Sequence, residues 1–231
     1  MELQHGFRKK SKFIEEYKPD ILIVPECEHP DKLKFDINSV HPNEIFWYGT
    51  NVNKGLGVFS FTNYKISLLD FHEEKYRMKV QLKITNGNST YTIFAIWANN
   101  PQDRGYQYVG QVWKALNHYQ NRIKKKNTLL IGDFNSNTMW DKPRREGNHT
   151  TVVGILADKG IESVYHKYFE QEQGKEEHPT LFLYRHQDKP YHIDYCFVSK
   201  NMVKKLKKVE VGEYENWIKM SDHMPLIIDF E

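Results

Sequence analysis

Cysteine is nearly absent, with 2 in 231 residues. Two thiols cannot build a disulfide framework, so the fold must rest on burial, and a reducing compartment makes the cytoplasm the expected location. Long apolar runs are missing too; none approaches the roughly 20 residues that a membrane-spanning helix needs. Charge of one sign is scarce: 33 Lys plus Arg stand against 30 Asp plus Glu, giving +3 with all 11 His neutral. That is too little to announce a nucleic-acid binder by its field alone. No repeat, low-complexity tract or linker appears, and Met1 to Lys10 lacks the apolar segment of a signal peptide. What is present is 39% hydrophobic, 27% charged and 14% aromatic residues. This balance excludes a disordered tail protein and suits one domain over 1–231 with its own core. No protein partner can be inferred.

Periodicity outlines the elements. Phe7, Ile14 and Tyr17, with basic residues between them, predict a first helix that Pro19-Asp20 ends. Ile21 to Val24 reads as a buried strand. Asn53-Lys54-Gly55 reads as a turn before a strand over Leu56 to Phe61. Tyr76 to Thr85 and Thr90 to Trp97 flank Asn86-Gly87, a hairpin signal. Val109, Val112, Trp113, Leu116, Tyr119 and Ile123 predict a helix over Tyr108 to Lys124, closed by Lys124-Lys125-Lys126. A strand over Thr128 to Ile131 follows. Thr150 is the expected cap of a short helix through Leu156, stopped by Gly160. Thr180 to Tyr184, Tyr191 to Val198, Val209 to Val211 and Pro225 to Phe230 read as strands, and Ser199 to Leu206 as a short helix. Hairpins with a few helices between them point to an α+β or layered α/β sandwich.

Four segments place acidic or His side chains at the ends of apolar strands. They are Val24 to Glu28, Gly132 to Asn137, His192 to Tyr195, and Ser221 to Pro225. Ionised carboxylates do not sit beside apolar runs without a partner, and several of them together suggest a hard cation held by oxygen. Singly, each is weak: Asp133 to Asn137 could be an ordinary turn, Glu26 a surface acid and His223 a structural histidine. Asp194 is harder to dismiss. His192, Asp194 and Cys196 share one face of a strand, Ile193, Tyr195 and Phe197 the other, and a charged His is the usual partner of such an Asp. Asp133 and Asn135 are two apart, so an extended backbone would aim both at one cleft.

Order changes the odds. Pro25-Glu26 follows the first apolar strand, Gly132-Asp133-Phe134-Asn135 lies mid-chain, Ile193-Asp194-Tyr195 is late, and Ser221-Asp222-His223 precedes Pro225. The set resembles the endonuclease/exonuclease/phosphatase superfamily, from about Gly6 to Phe230. Asn53 to Val58 and Ile96 to Pro101 agree with it. The resemblance implies a four-layer α/β (α+β) sandwich, two mixed β-sheets face to face with flanking helices. It also implies a Mg²⁺-dependent phosphoesterase, with Mn²⁺ as an alternative. By similarity Glu26 is the principal metal ligand and Asp222 lies near the metal. Asp133 orients or deprotonates the attacking water, and Asn135 holds a phosphoryl oxygen. His223 binds a phosphoryl oxygen or acts as general acid, and Asp194 fixes its orientation. Phosphoryl transfer needs positioning and charge neutralisation of this kind more than covalent help.

Three departures qualify the resemblance. The family opens on a strand ending in Trp-Asn before a Gly, whereas Glu2 to Gly6 puts Leu3 there; the expectation is a truncated or altered N-terminal strand and weakened activity. Trp97 stands where the family has Tyr or His, leaving Asn99 or Asn100 to supply the polar contact. Pro25 replaces a Gln. For the substrate, Arg144 and Arg145 suit phosphate, Trp140 and Tyr106 are stacking candidates set against ordinary packing, and Lys204, Lys205, Lys207 and Lys208 form a solvated face or a phosphate track. The favoured substrate is nucleic acid. The alternatives are a small phosphoester (nucleotide, inositol phosphate or lipid headgroup) and a catalytically impaired binding member. Cys27 and Cys196 read as buried thiols.

Overall fold

The computed structural model describes residues 16–33, 40–76, 79–99, 103–123 and 126–231. The N-terminal stretch around Leu3, nearly all of the first expected helix, Asn100, Lys124 and Lys125 lie outside the described residues. The chain forms two compact units, 1–97 and 98–231.

The first unit is antiparallel β-structure. Strands β1 (Ile21–Cys27), β2 (Glu44–Asn51) and β3 (Lys54–Ser60) pair in the order β1-β3-β2. Strands β4 (Lys65–Leu68), β5 (Lys79–Thr85) and β6 (Thr90–Trp97) pair in chain order, and β5–β6 is the hairpin that Asn86-Gly87 predicted. Lys54 and Gly55 are already inside β3 and not in a turn, because Asn51 pairs with Lys54 and the chain reverses at Val52-Asn53. Strand β2 was not expected. Its run Glu-Ile-Phe-Trp-Tyr-Gly holds four consecutive apolar residues, yet the strand is half-exposed and ends in polar Thr50-Asn51. Trp47 of β2 lies across β3, where a Cβ on Gly55 would come within 2.3 Å of its ring. Its indole N–H donates to the Cys27 carbonyl at 3.0 Å. Only glycine leaves room for that crossing.

The second unit mixes helices and short strands. Helix α1 (Val109–His118) precedes β7 (Thr128–Asp133), α2 (His149–Asp158), β8 (Ile161–Ser163) and α3 (Val164–Phe169). Then come β9 (Leu181–Phe182), β10 (Pro190–Tyr191), β11 (Asp194–Ser199), α4 (Lys200–Val203), β12 (Leu206–Val211), α5 (Tyr214–Trp217) and β13 (Leu226–Phe230). β11 lies between β7 and β8, antiparallel to both, and β12 pairs with β13. Helix α1 stops short of the expected Lys124. Tyr119 and Ile123 keep the helical spacing but fill the core from the turn beyond it, at 2% and 7% exposure. Thr150 does not cap α2. Asp141 does: its carboxylate accepts from the His149 and Thr150 amides at 2.7 and 2.9 Å and from the Thr150 hydroxyl. A carboxylate at a helix N-terminus satisfies orphan amides and complements the dipole. The expected strand over Tyr191 to Val198 breaks at His192-Ile193, so His192 does not share one strand face with Asp194 and Cys196.

The fold class is α+β, with several sheets and flanking helices. Cys27 and Cys196 are buried and unbridged, as expected. No described helix is long and apolar enough to cross a membrane.

Candidate active site

Glu26 owes its direction to a bulge. The β1–β3 register runs Val24 opposite Gly57, then Cys27 opposite Gly55, so Pro25 and Glu26 fall in an irregularity. Pro25 has no N–H to give a ladder, and a bulge is where a strand tolerates it. Glu26 takes a left-handed φ of 58°. Its carboxylate meets the Lys54 ammonium at 2.7 Å, with both side chains about two-fifths exposed (44% and 41%). The same ammonium lies 5.6 Å from the centre of the Trp97 ring, which is itself buried.

In the second unit, Asp194 is paired directly opposite Asp133 across β11 and β7. Asp133 is 3% exposed. The Asn135 backbone N–H donates to Asp133 Oδ1 at 2.7 Å, and its side-chain amide donates to Asp133 Oδ2 at 2.7 Å and to the Ala98 carbonyl at 2.9 Å. The backbone between them is not extended, as spacing suggested. Asn135 sits at φ 47°, and the segment closes on itself as an Asx-type turn. Asn135 therefore spends its amide on orienting Asp133.

Asp194 Oδ2 lies 2.9 Å from His223 Nδ1. Burial works against a charge on His223, but the Asp194 carboxylate beside it, helped by Asp133 and Asp222, outweighs that and pushes its pKa up to about 9. His223 is thus an imidazolium at neutral pH, donating to Asp194. The His223 segment is pinned to β9: Leu181 bridges His223, and the Phe182 N–H donates to the Asp222 carbonyl at 2.8 Å.

The other candidates divide. Asn99 accepts the Tyr108 N–H on its carbonyl at 3.1 Å. Arg144 is exposed at φ 60°, while the Arg145 guanidinium donates to the Gly105 carbonyl at 3.2 Å. Tyr106 stacks on Trp113, with ring centres 5.4 Å apart, so packing claims it. Trp140 packs on Tyr191 but stays 45% exposed. Lys204, Lys205, Lys207 and Lys208 are exposed, and the last two pair with Glu231 and Glu210. Sequence reasoning passed over Tyr184. It is 74% exposed in the β9–β10 connection, held at φ 56° with the Lys189 ammonium 5.9 Å from its ring. A tyrosine inside an expected strand gave no sign of that.

A buried polar network that starts from Ser136 and Asn137 was also missed. The Asn137 amide lies 3.0 Å from Glu176 Oε2, 3.0 Å from the His192 carbonyl and 3.1 Å from the Tyr195 hydroxyl. His166 Nε2 lies 3.0 Å from Glu176 Oε1, whose side chain is only 3% exposed. Ser136 meets His149 Nδ1 at 2.8 Å, and Gln173 meets its Nε2 at 3.1 Å. Burial holds the His149 pKa down to about 4. Its unfolded value near 6.5 lies above that, so the unfolded chain binds more protons between the two. Stability is expected to decline as pH falls from about 6.5 to about 4. Urea titrations at pH 7, 5.5 and 4 check this; an unchanged midpoint would contradict it.

Among the described residues no three His, Cys, Asp or Glu side chains converge as a metal-binding group. Mg²⁺ asks for less, one or two carboxylates and several waters. Glu26 fits that chemistry, since its exposed carboxylate already holds one cation, the Lys54 ammonium.

No protein-family model and no curated protein sequence matches the chain. Solved structures do. An AP endonuclease from Archaeoglobus fulgidus aligns with a TM-score of 0.68 at 17% identity, over 95% of this chain and 92% of that one. A 3′ phosphatase from Neisseria, solved with a product DNA hairpin, gives 0.65 at 17% identity, over 97% and 94%. An endonuclease/exonuclease/phosphatase family protein from Leptotrichia buccalis gives 0.60 at 16% identity, over 98% and 94%. The chain therefore has the sandwich fold of the endonuclease/exonuclease/phosphatase superfamily, the family that its Pro25-Glu26, Gly132-to-Asn135, Ile193-to-Tyr195 and Ser221-to-Pro225 segments resemble.

Proposed function

We propose that this protein is a Mg²⁺-dependent phosphoesterase that hydrolyses phosphodiester bonds in nucleic acid by in-line attack of an activated water. The observation that carries the reading is the His223 ring held at 2.9 Å by Asp194, which lies on the strand pair that also presents Asp133. Asp133, gripped through both oxygens by Asn135, is the base that orients the water and takes its proton. His223 donates to a phosphoryl oxygen as negative charge builds in the transition state, where a preorganised donor acts most strongly. Glu26 is the residue that would hold the metal, and Asp222 is its second candidate. When bound, Mg²⁺ neutralises charge on a phosphoryl oxygen and steadies the leaving oxygen; Mn²⁺ can serve the same chemistry.

Nucleic acid is favoured over a small phosphoester by the surface next to His223. Tyr184, Arg185 and Lys189 lie on the connection from the His223-bridged β9 to β10, and Trp140 packs at a tilt on Tyr191 of β10. Exposed aromatics with basic neighbours suit stacked bases and phosphates. That a structural neighbour was solved with DNA agrees with this reading.

The test is hydrolysis of a panel, with Mg²⁺, Mn²⁺ or EDTA: plasmid, single-stranded DNA, abasic duplex, RNA, a nucleotide and an inositol phosphate. Expected is turnover of at least one nucleic acid that EDTA abolishes and that Asp133→Asn lowers by about 10²- to 10⁴-fold. Turnover of the nucleotide or inositol phosphate alone would favour the small-phosphoester reading. Tight, salt-sensitive DNA binding without turnover would favour an impaired binding member.

A further inference from the structure

We propose that Thr180 is a positioning residue, whose hydroxyl and carbonyl together fix the geometry of the Asp194–His223 pair. The proposal deepens the phosphoesterase reading and rests on it. Thr180 is fully buried. Its hydroxyl oxygen accepts two backbone N–H groups, from Ile193 at 2.9 Å and from Asp194 at 3.0 Å. Its carbonyl accepts the Met224 N–H at 2.8 Å, and its own N–H donates to the Tyr191 carbonyl at 2.9 Å. One residue thus bonds the chain at Asp194 and on the position following His223.

The need for such a residue comes from the break in the sheet. β10 ends at Tyr191 and β11 begins at Asp194. Leu181 pairs with Tyr191, while Asp194 pairs with Asp133 on the other side. The chain changes partners at His192-Ile193, and the amides of Ile193 and Asp194 turn to the Thr180 hydroxyl. A buried amide without a partner is costly, so these two donors choose the backbone path that reaches the hydroxyl. That path sets where the Asp194 carboxylate points. Leu181, the next residue, bridges His223, so Thr180 transmits any shift to both members of the pair.

The hydroxyl and the methyl of threonine can be separated. Thr180→Val keeps the shape and removes the acceptor. Thr180→Ser keeps the acceptor and removes a methyl. On the full chain, Thr180→Val is expected to lower kcat by about 100-fold with KM within about threefold, as a misplacement near 1 Å does. Thr180→Ser is expected to stay within about threefold of the parent. Amide hydrogen exchange gives a reading free of catalysis: in Thr180→Val the Ile193 and Asp194 amides should lose protection by about tenfold or more, and in Thr180→Ser they should keep it. Leu156→Ala, a core change in α2, serves as the control for simple destabilisation and should keep kcat. If Thr180→Val does not fold, Thr180→Ala replaces it with the same expected losses.

Parent-like kcat in the folded Val or Ala variant would overturn the proposal. So would equal losses in the Ser and Val variants, which would assign the effect to the methyl. A kcat loss in Leu156→Ala matching that of Thr180→Val would overturn it as well. If the parent turns over no phosphoester, the functional reading fails, and the exchange of Ile193 and Asp194 still decides whether the hydroxyl holds them.

Discussion

Replacing Asp194 with Asn lowers turnover by about 10³- to 10⁴-fold and moves the alkaline limb of the pH–rate profile down by more than a unit. The physical reason is the opposition of two effects at His223. Burial disfavours its charge, and the carboxylate 2.9 Å from Nδ1 overcomes that to hold its pKa at about 9. Asn keeps the shape and a hydrogen-bond acceptor but removes the charge, and burial is then opposed only by the weaker pull of Asp133 and Asp222. The His223 pKa would fall, and less of the protein would carry the positive charge that the proposed mechanism places on the phosphoryl oxygens. The stability linkage has a definite sign. A group raised from about 6.5 to about 9 stabilises the fold fully below 6.5, and that contribution is lost as pH rises through about 9. The His223 side chain is 35% exposed, so solvent screens the pair and limits its contribution to stability. A pH–rate series on both proteins, with the His223 ring signal followed by NMR, measures the shift. An alkaline limb that stays near 9 in Asp194→Asn would remove Asp194 from its assigned role.

Glu176→Ala destabilises the fold by about 3–5 kcal/mol, a large effect for a polar residue in a connecting segment. Burial by itself would raise the Glu176 pKa. The His166 ring, the Gly174 N–H and the Asn137 amide outweigh it and hold the pKa down to about 2. Glu176 is therefore an anion almost wholly removed from water, and truncation leaves the buried donors around it without their acceptor. Its contribution is present above the ordinary carboxylate pKa near 4.5 and lost as pH falls through about 2. Denaturant unfolding of Glu176→Ala and Glu176→Gln at pH 7 gives the size, and Gln should cost less because it keeps one acceptor. A loss under 1 kcal/mol for the alanine variant would mean that the network reorganises or fills with water.

The contrast between these two carboxylates explains what was legible in the sequence. Asp194 stood out because it interrupts an apolar strand; chemistry suggested a His partner, and the family resemblance named His223. Glu176 belongs to Glu170-Gln-Glu-Gln-Gly-Lys-Glu-Glu-His178, a run whose composition reads as solvated loop. Only tertiary folding, which sets Asn137 and His166 against it, shows that this one acid is inside. The same limit applies at smaller scale. Thr150 looked like a helix cap because capping is read locally, yet the cap is Asp141, which arrives from outside the helix. Asp133 and Asn135 were read by spacing, which assumes extended backbone, and the positive φ of Asn135 overturns that assumption. Strands with apolar continuity and a marked turn, such as the Asn86-Gly87 hairpin, were legible since nothing distant decides them. Half-exposed β2 was not, because its pairing with β3 gives it its form.

The scattering of Asp133, Asp194 and His223 along the chain has a consequence for how activity is acquired. Asp133 and Asp194 meet only when β7 and β11 pair in register, and His223 joins only when its segment bridges Leu181. Each closure spans a long loop, whose entropy must be met before the contact returns anything. Helices α1 and α2 close locally and have no such delay. During refolding, helical signal should therefore recover before turnover does, and no partly folded species should cleave its substrate. If the proposed hydrolysis holds, a chain assembled in this order would stay inert until Asp133, Asp194 and His223 have met, so the order of strand pairing would time the chemistry.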